Sequence, residues 1–388
     1  MTWTPRLLRY ILTWVLGGLP FRIRISQALR RQCPICGGDC AAGRTPPWSL
    51  LATASTPSYG QTIQTNQWPW TDWSPVTASS NPPTPLWRNG YDMSDQRYDR
   101  NILLFGAEGQ AKLRATRVAV VGVGGLGSPI VQHLALLGVG EILLIDPEEL
   151  DDTNRNRFVG AKAADPVPGS PKVSLSARLV VEINPEVAVT PVPYGLISPQ
   201  SFDALKAADW VIGGFDHDGP RFILNEICAA YAKPYIDLAS DVPEAGVYGG
   251  HVCVAYDGQG CLSCLDLLDM AAVERYLASP QERAAKDAIY GIARAALAEK
   301  KGPSVSPING VVAALGATEF MVAVTGMRPP RLFLNYYGHF GKVSDASATA
   351  RKPYCHFCQE IRGNADEAEL DRYLRITHLR QNRAGTTI

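Results

Sequence analysis

The segment RVAVVGVGGLGSPIVQHLALLG, residues 117–138, constrains the fold more than any other part of this 388-residue chain. The apolar run RVAVV ends at Gly122, Gly124, Gly125 and Gly127, which predicts a buried strand entering a tight turn. GLGSPIVQHLALLG then carries apolar residues at helical spacing and stops at Gly138, a natural helix end. Glycines at this spacing let a backbone come close to an anion. The helix that follows points its unpaired N–H groups at the same place. The nine residues VVGVGGLGS leave the ligand open. A nicotinamide dinucleotide, ATP and a bare helix–strand contact all satisfy them.

The pattern continues as alternating elements. EILLID (141–146), EVAVTPV (186–192), DWVIGG (209–214) and PYIDLA (234–239) read as strands. Residues 170–184, 198–208 and 218–232 read as helices between them. Alternation at this interval predicts an α/β, Rossmann-like fold with a mostly parallel sheet and helices on both faces. After Gly246 the pattern changes to a strand (246–256), charged Ala-rich helices (266–300) and a buried helix (309–326). RLFLNYYG and FGKVS then predict C-terminal antiparallel strands.

Composition limits the partners. Lys and Arg total 37, as do Asp and Glu, so the formal charge is zero and no broad attraction to nucleic acid or to a membrane surface is expected. A cytoplasmic protein is the expectation. Residues 1–90 stand apart as an extension expected to be poorly ordered. Leu7–Phe21 is apolar but too short for a comfortable membrane span, and 45–90 is rich in Pro, Ser, Thr and Trp without periodicity. Residues 91–363 form the expected folded domain and 364–388 a tail.

Charged residues after the strands change the odds on the ligand. Asp146 ends the second strand, where a carboxylate can accept ribose hydroxyls. Asn154 and Arg157 follow just beyond it, and Lys172 opens the next helix, all toward the edge that carries the glycines. A dinucleotide needs few extra cations there, whereas a triphosphate needs several. Asp216, after the strand 209–214, suits a Mg²⁺ that bridges phosphates. Arg155 reads as a solvated surface charge, Asp218 as a helix N-cap, and Arg221 as the partner of a nearby carboxylate.

Of nine cysteines, six form three C-x-x-C pairs. Cys33/Cys36, with Cys40 nearby, reads as half a zinc knuckle, and Cys261/Cys264 and Cys355/Cys358 read as the two halves of one site. Four thiolates so spaced satisfy tetrahedral Zn²⁺ with no open position, which predicts a structural zinc site rather than redox work. His356 reads as a bystander, and Cys228 and Cys253 as small buried hydrophobes.

Together these residues resemble the ubiquitin-activating-enzyme superfamily, in particular its ThiF, MoeB and HesA type adenylyltransferases. RYDRN (97–101), VGVGGLGS, IDPEELDDTNRNRF, GSPKV, FDHDGPRFILN and the two cysteine pairs occur in the family's order, over about 97–363. The resemblance implies ATP-dependent adenylation of the C-terminal glycine of a small ubiquitin-like or sulfur-carrier protein, with release of pyrophosphate. Gly122, Gly124, Gly125 and Gly127 would line the nucleotide, and Asp146 would hold the ribose. Asn154, Arg157 and Lys172 would grip the phosphates, and Asp216 would position Mg²⁺. Arg100 would reach the triphosphate from the other subunit of a homodimer.

A conjugating enzyme would be a further partner where conjugation follows, a chemistry that can serve antiviral defence in bacteria. Adenylation of a peptide or a tRNA-linked amino acid, and a non-catalytic dimer partner, are the competing readings. Three departures stand out. His217 follows Asp216 where the family commonly has Asn, Gly213 replaces a frequent acidic residue, and no cysteine occurs between Cys264 and Cys355. Cys253 and the Cys33/Cys36/Cys40 cluster are the remaining candidates for a thiol step.

Overall fold

A computed structural model describes residues 96–289, 303–348 and 352–380. The readings made for residues 1–90, the cysteine cluster at 33–40 included, lie outside the described residues.

Strands β1 (Arg117–Val121), β2 (Glu141–Ile145), β3 (Ala188–Val192), β4 (Trp210–Gly213), β5 (Tyr235–Glu244), β6 (Val247–Ala255), β7 (Phe333–Tyr337) and β8 (Lys342–Asp345) form one sheet in the order β3-β2-β1-β4-β5-β6-β7-β8. The pairs among β1 to β5 are parallel, and those from β5 to β8 are antiparallel. The helices are α1 (Asp99–Ala115), α2 (Gly127–Leu137), α3 (Lys172–Ile183), α4 (Pro199–Ala207), α5 (Asp218–Ala230), α6 (Met270–Leu277), α7 (Pro280–Ile289) and α8 (Ser306–Thr325).

Both faces of the sheet are covered, as the unbroken apolar strands require. In β1, Ala119 and Val121 face a core built with Phe202, Leu205, Ile223 and Leu224 of α4 and α5. Val118 and Val120 face a second core with Ile130, Leu134, Val173, Val312 and Phe320 of α2, α3 and α8. A period of two in a strand buried on both sides places alternate residues in different cores. Helix α8 is long and apolar enough to cross a membrane by length and composition, but half of that window is buried inside the fold.

The strand order reverses between β1 and β4. In an open parallel sheet this opens a crevice outside the carboxyl ends of those two strands. Here β1 runs into the glycine loop and β4 into the loop carrying Asp216, so the crevice lies between them.

Three local features were not read from the sequence. Helix α1 is one of them: Gly106 takes φ 76° and ψ 167° within it and breaks its regularity. β5 continues past Ala239 to Glu244, pairing with β6 as a long antiparallel ribbon. Residues 365–379 make three short 3₁₀ turns that bury Leu370, Tyr373 and Leu379.

Candidate functional site: the crevice between the first and fourth strands

The glycine loop is shaped by close approach. Gly122 has φ +83°, a conformation that L side chains rarely adopt, and its N–H bonds Ile145 O at 2.9 Å. A Cβ at Gly127 would lie 2.0 Å from Gly122 O, so helix α2 can begin against the turn only with glycine there. Nothing lies within 4 Å of a Cβ built on Gly124, which therefore faces open space. Helix α2 ends on Gly138 at φ 70° and ψ 49°, the left-handed cap expected of that residue.

Asp146 follows β2 and is buried. Its Oδ2 accepts the N–H of Val123 at 2.7 Å and its Oδ1 the N–H of Glu148 at 2.8 Å. Burial pushes its carboxyl up to about 6, against the lowering influence of Lys172 and the two N–H donors. Lys172, at the start of α3, is itself buried and pairs with Glu148. Its backbone N–H also bonds Glu148 O at 3.0 Å. The loop between β2 and α3 thus folds back, and Lys172 stands beside Asp146 as the sequence suggests.

The same loop delivers Asn154 and Arg157. Asp151 caps a 3₁₀ turn, Asp152–Asn154, and Asn154 completes a capping box. Arg157 donates to Thr153 O at 2.5 Å and to Asn156 Oδ1 at 3.1 Å. Its stem lies against the glycine loop: a Cβ at Gly125 would be 3.0 Å from Arg157 Cδ. Arg155 is tied down rather than solvated, bonding Asp152 Oδ1, Lys162 O and Asp165 O at 2.9, 2.9 and 2.7 Å.

On the other side of the crevice, the Asp216 side chain is 90% exposed, with His217 Nε2 3.6 Å from its Oδ1. Gly214 N bonds Val121 O at 2.9 Å, which joins this loop to the end of β1. Asp218 is not the N-cap; His217 holds that place without a side-chain capping bond. Asp218 instead accepts from Arg221 at 2.6 Å and from the N–H of Asp269 at 2.8 Å. A carboxylate one residue inside the helix is better used on a guanidinium at i+3 than on its own turn.

Arg221 behaves as the sequence suggests. Its guanidinium contacts both oxygens of fully buried Asp237, at 3.1 and 2.6 Å, and Tyr235 donates to Asp237 Oδ1 at 2.8 Å. Burial alone would push Asp237 up, but the Arg221 charge beside it holds its carboxyl well below the usual range. Arg100 is exposed in the first turn of α1 and makes no hydrogen bond to the crevice residues, among the described residues.

One contributor was not read from the sequence. Asn309, in the first turn of α8, is buried, with Nδ2 2.5 Å from a Cβ built on Gly125. It accepts from Ser240 at 2.8 Å and donates to Ser304 Oγ at 3.1 Å. Asn156 Nδ2 reaches Ser304 O at 3.2 Å. The serine segment before α8 therefore borders the glycine loop. A buried asparagine opening an otherwise apolar helix was the available signal.

The two cysteine pairs meet. The sulfurs of Cys261, Cys264, Cys355 and Cys358 all lie within 4.8 Å of one another, with Cys261 Sγ 3.6 Å from Cys355 Sγ. Tetrahedral zinc at its usual Zn–S distance puts sulfurs about 3.8 Å apart, so the four thiols fit it. S–H donation from Cys261 lowers the Cys264 thiol strongly, and the Cys261 N–H reaches its sulfur at 3.1 Å. His356 turns away to Glu360 and is not among the clustered ligands.

The ThiF family model matches residues 98–357. The chain belongs to the ThiF family. Among curated relatives, the protein HesA of Leptolyngbya boryana is 28% identical over 270 residues, 68% of this chain and 85% of that protein. The SAMP-activating enzyme E1 of Haloferax volcanii is 36% identical over 142 residues, 36% of this chain and 52% of its own length. The chain spans 43% of the adenylyltransferase and sulfurtransferase UBA4 of Yarrowia lipolytica, at 31% identity. E. coli MccB, solved with ATP, shares the fold at TM-score 0.52 and 24% identity, over 68% of this chain and 74% of that one.

Proposed function

We propose that this ThiF-family chain adenylates the C-terminal carboxylate of a small ubiquitin-like or sulfur-carrier protein at the expense of ATP. The observation that carries the reading is the gathering of an anion-receptive glycine loop, Asp146, Arg157 and Lys172 on one side of the sheet's switch point and Asp216 on the other. A dinucleotide explains neither the buried lysine beside Asp146 nor the exposed aspartate across the crevice. Its relatives, named a SAMP-activating enzyme and an adenylyltransferase and sulfurtransferase, support the same class.

In this reading the N–H groups of 124–127 receive phosphate oxygens and Asp146 accepts the ribose hydroxyls. Lys172 and Arg157 offset the charge of the triphosphate, Asn154 offers it a neutral N–H donor, and Asp216 would hold a Mg²⁺ that would offset charge on the leaving pyrophosphate. The carrier's carboxylate oxygen attacks the α-phosphorus as the bond to the bridging oxygen breaks. The work is positioning and charge compensation. Arg100 acts across a homodimer interface. Leu103 and Leu104, 81% and 57% exposed on the same helix, supply apolar surface for it.

In this reading neither the segment between Cys264 and Cys355 nor Cys253 supplies a thiol to take over the acyl-adenylate. The chain has no cysteine between Cys264 and Cys355. Cys253 is fully buried, and burial pushes its thiol well above the ordinary range, so it is a poor nucleophile. The test is to incubate the chain with Mg·ATP and candidate carriers ending in glycine, then weigh the carrier intact. A carrier that gains AMP supports the reading; pyrophosphate release without any modified protein or peptide contradicts it.

A further inference from the structure

Helix α8 opens with a polar side chain at a core position. Asn309 continues the helix face on which Val312, Ala313, Gly316 and Phe320 are buried. An apolar side chain would fill that place at no polar cost, whereas a buried amide needs hydrogen-bond partners. Asn309 is 1% exposed and has them: Oδ1 accepts from Ser240 Oγ at 2.8 Å, and Nδ2 donates to Ser304 Oγ at 3.1 Å. The contacts do not stop there. Asn156 Nδ2 donates to Ser304 O at 3.2 Å, and Arg157 Nη1 donates to Asn156 Oδ1 at 3.1 Å. A continuous polar path therefore runs from Ser240 in β5 through Asn309, Ser304 and Asn156 to Arg157.

The glycine loop meets this path at both of its ends. A Cβ at Gly125 would stand 2.5 Å from Asn309 Nδ2 and 3.0 Å from Arg157 Cδ. The amide and the arginine stem thus close on the loop in the room that Gly125 leaves. An arginine on a loop has many rotamers, and a cation already held in place binds an anion better than one that must first be ordered. The bonds to Thr153 O and Asn156 Oδ1 are both made by Nη1, so the donors of Nε and Nη2 remain for a ligand. We propose that Asn309 is a positioning residue, holding Arg157 through Ser304 and Asn156 so that the guanidinium meets the triphosphate already ordered. This rests on Arg157 gripping ATP, as in the proposed function. The amide stands in the core because its bonds reach the phosphate site, which no apolar side chain could do.

The test titrates Mg·ATP into the full chain by calorimetry, as a double-mutant cycle with Arg157→Ala. Asn309→Ala is expected to weaken ATP about tenfold when Arg157 is present, and no further once Arg157→Ala has been made. An equal loss in both backgrounds overturns the inference, because the amide would then act on the fold or the glycine loop alone. Unchanged affinity in Asn309→Ala overturns it too. A second variant guards against a folding defect. Asn156 is exposed, so Asn156→Ala should keep the wild-type melting temperature. It should still weaken ATP, again only where Arg157 is present; wild-type affinity in Asn156→Ala overturns the path. A wild-type chain that binds no ATP, or an Arg157→Ala chain that binds it unchanged, overturns the reading of the phosphate site as well.

Discussion

Asp146 Oδ2 accepts the backbone N–H of Val123 at 2.7 Å, joining the end of β2 to the glycine loop that follows β1. This bond sets the height of the loop against the carboxylate proposed to hold the ribose. It also buries a charge, with a measurable consequence.

The Asp146 carboxyl is pushed up to about 6 by burial. A carboxylate raised in the folded state favours folding below its unfolded value, and that contribution is lost as pH rises through the folded value. Relative to Asp146→Asn, the wild type should therefore be more stable at pH 4 than at pH 7, the difference shifting by up to about 3 kcal/mol. Urea unfolding of both proteins at several pH values measures it. Lys172→Met, which removes the charge that lowers Asp146, should raise its titration midpoint further, readable by ¹³C NMR of the carboxyl.

Gly127 and Gly124 should separate folding from binding. Gly127→Ala drives a methyl into Gly122 O and should cost about 1–3 kcal/mol or more in thermal stability. Gly124→Ala meets open space and should melt within about 0.5 kcal/mol of the wild type. It should nonetheless weaken ATP about tenfold or more, because a methyl stands where the phosphate must approach. Calorimetric melting with ATP titration checks both.

Lys172→Met and Asp216→Ala should each lower kcat/KM for ATP by about 10²–10³-fold, the range for removing one preorganised charge from a developing anion. Asp216 is exposed and only loosely approached by His217, so its variant should keep the wild-type melting temperature. Lys172 is buried against Glu148, so its variant should lose some stability as well.

Cys355→Ser should remove the metal and loosen the end of the chain. The knuckle fixes Phe357 and Ile361 in the core shared by α5 and the 3₁₀ turns. Metal analysis should find one zinc per wild-type chain and none in the variant. Limited proteolysis should then cut first after residue 345.

The strands were legible because apolar runs buried on both faces leave little choice. That the glycine loop, Asp146 and Asp216 share one edge was legible because each follows a parallel strand. What escaped had physical reasons. Gly106 interrupts α1, and glycines at 106 and 109 keep its local pattern from announcing a helix. Asn309 acts through the return of α8 toward the glycine loop, a contact made between distant parts of the chain. Glu148, the partner of Lys172, stands in an acid-rich stretch, Glu148 to Asp152, that does not mark which carboxylate turns to the lysine.

The central claim is that this crevice joins AMP to a carrier's carboxylate. Carrier-dependent exchange of labelled pyrophosphate into ATP tests it most directly, using the full chain, Mg²⁺ and a small protein ending in glycine. Exchange should need the carrier, fall to background when its terminal glycine is removed, and be lost in Asp216→Ala. Exchange that proceeds equally without any carrier, or that survives in Asp216→Ala, would contradict it.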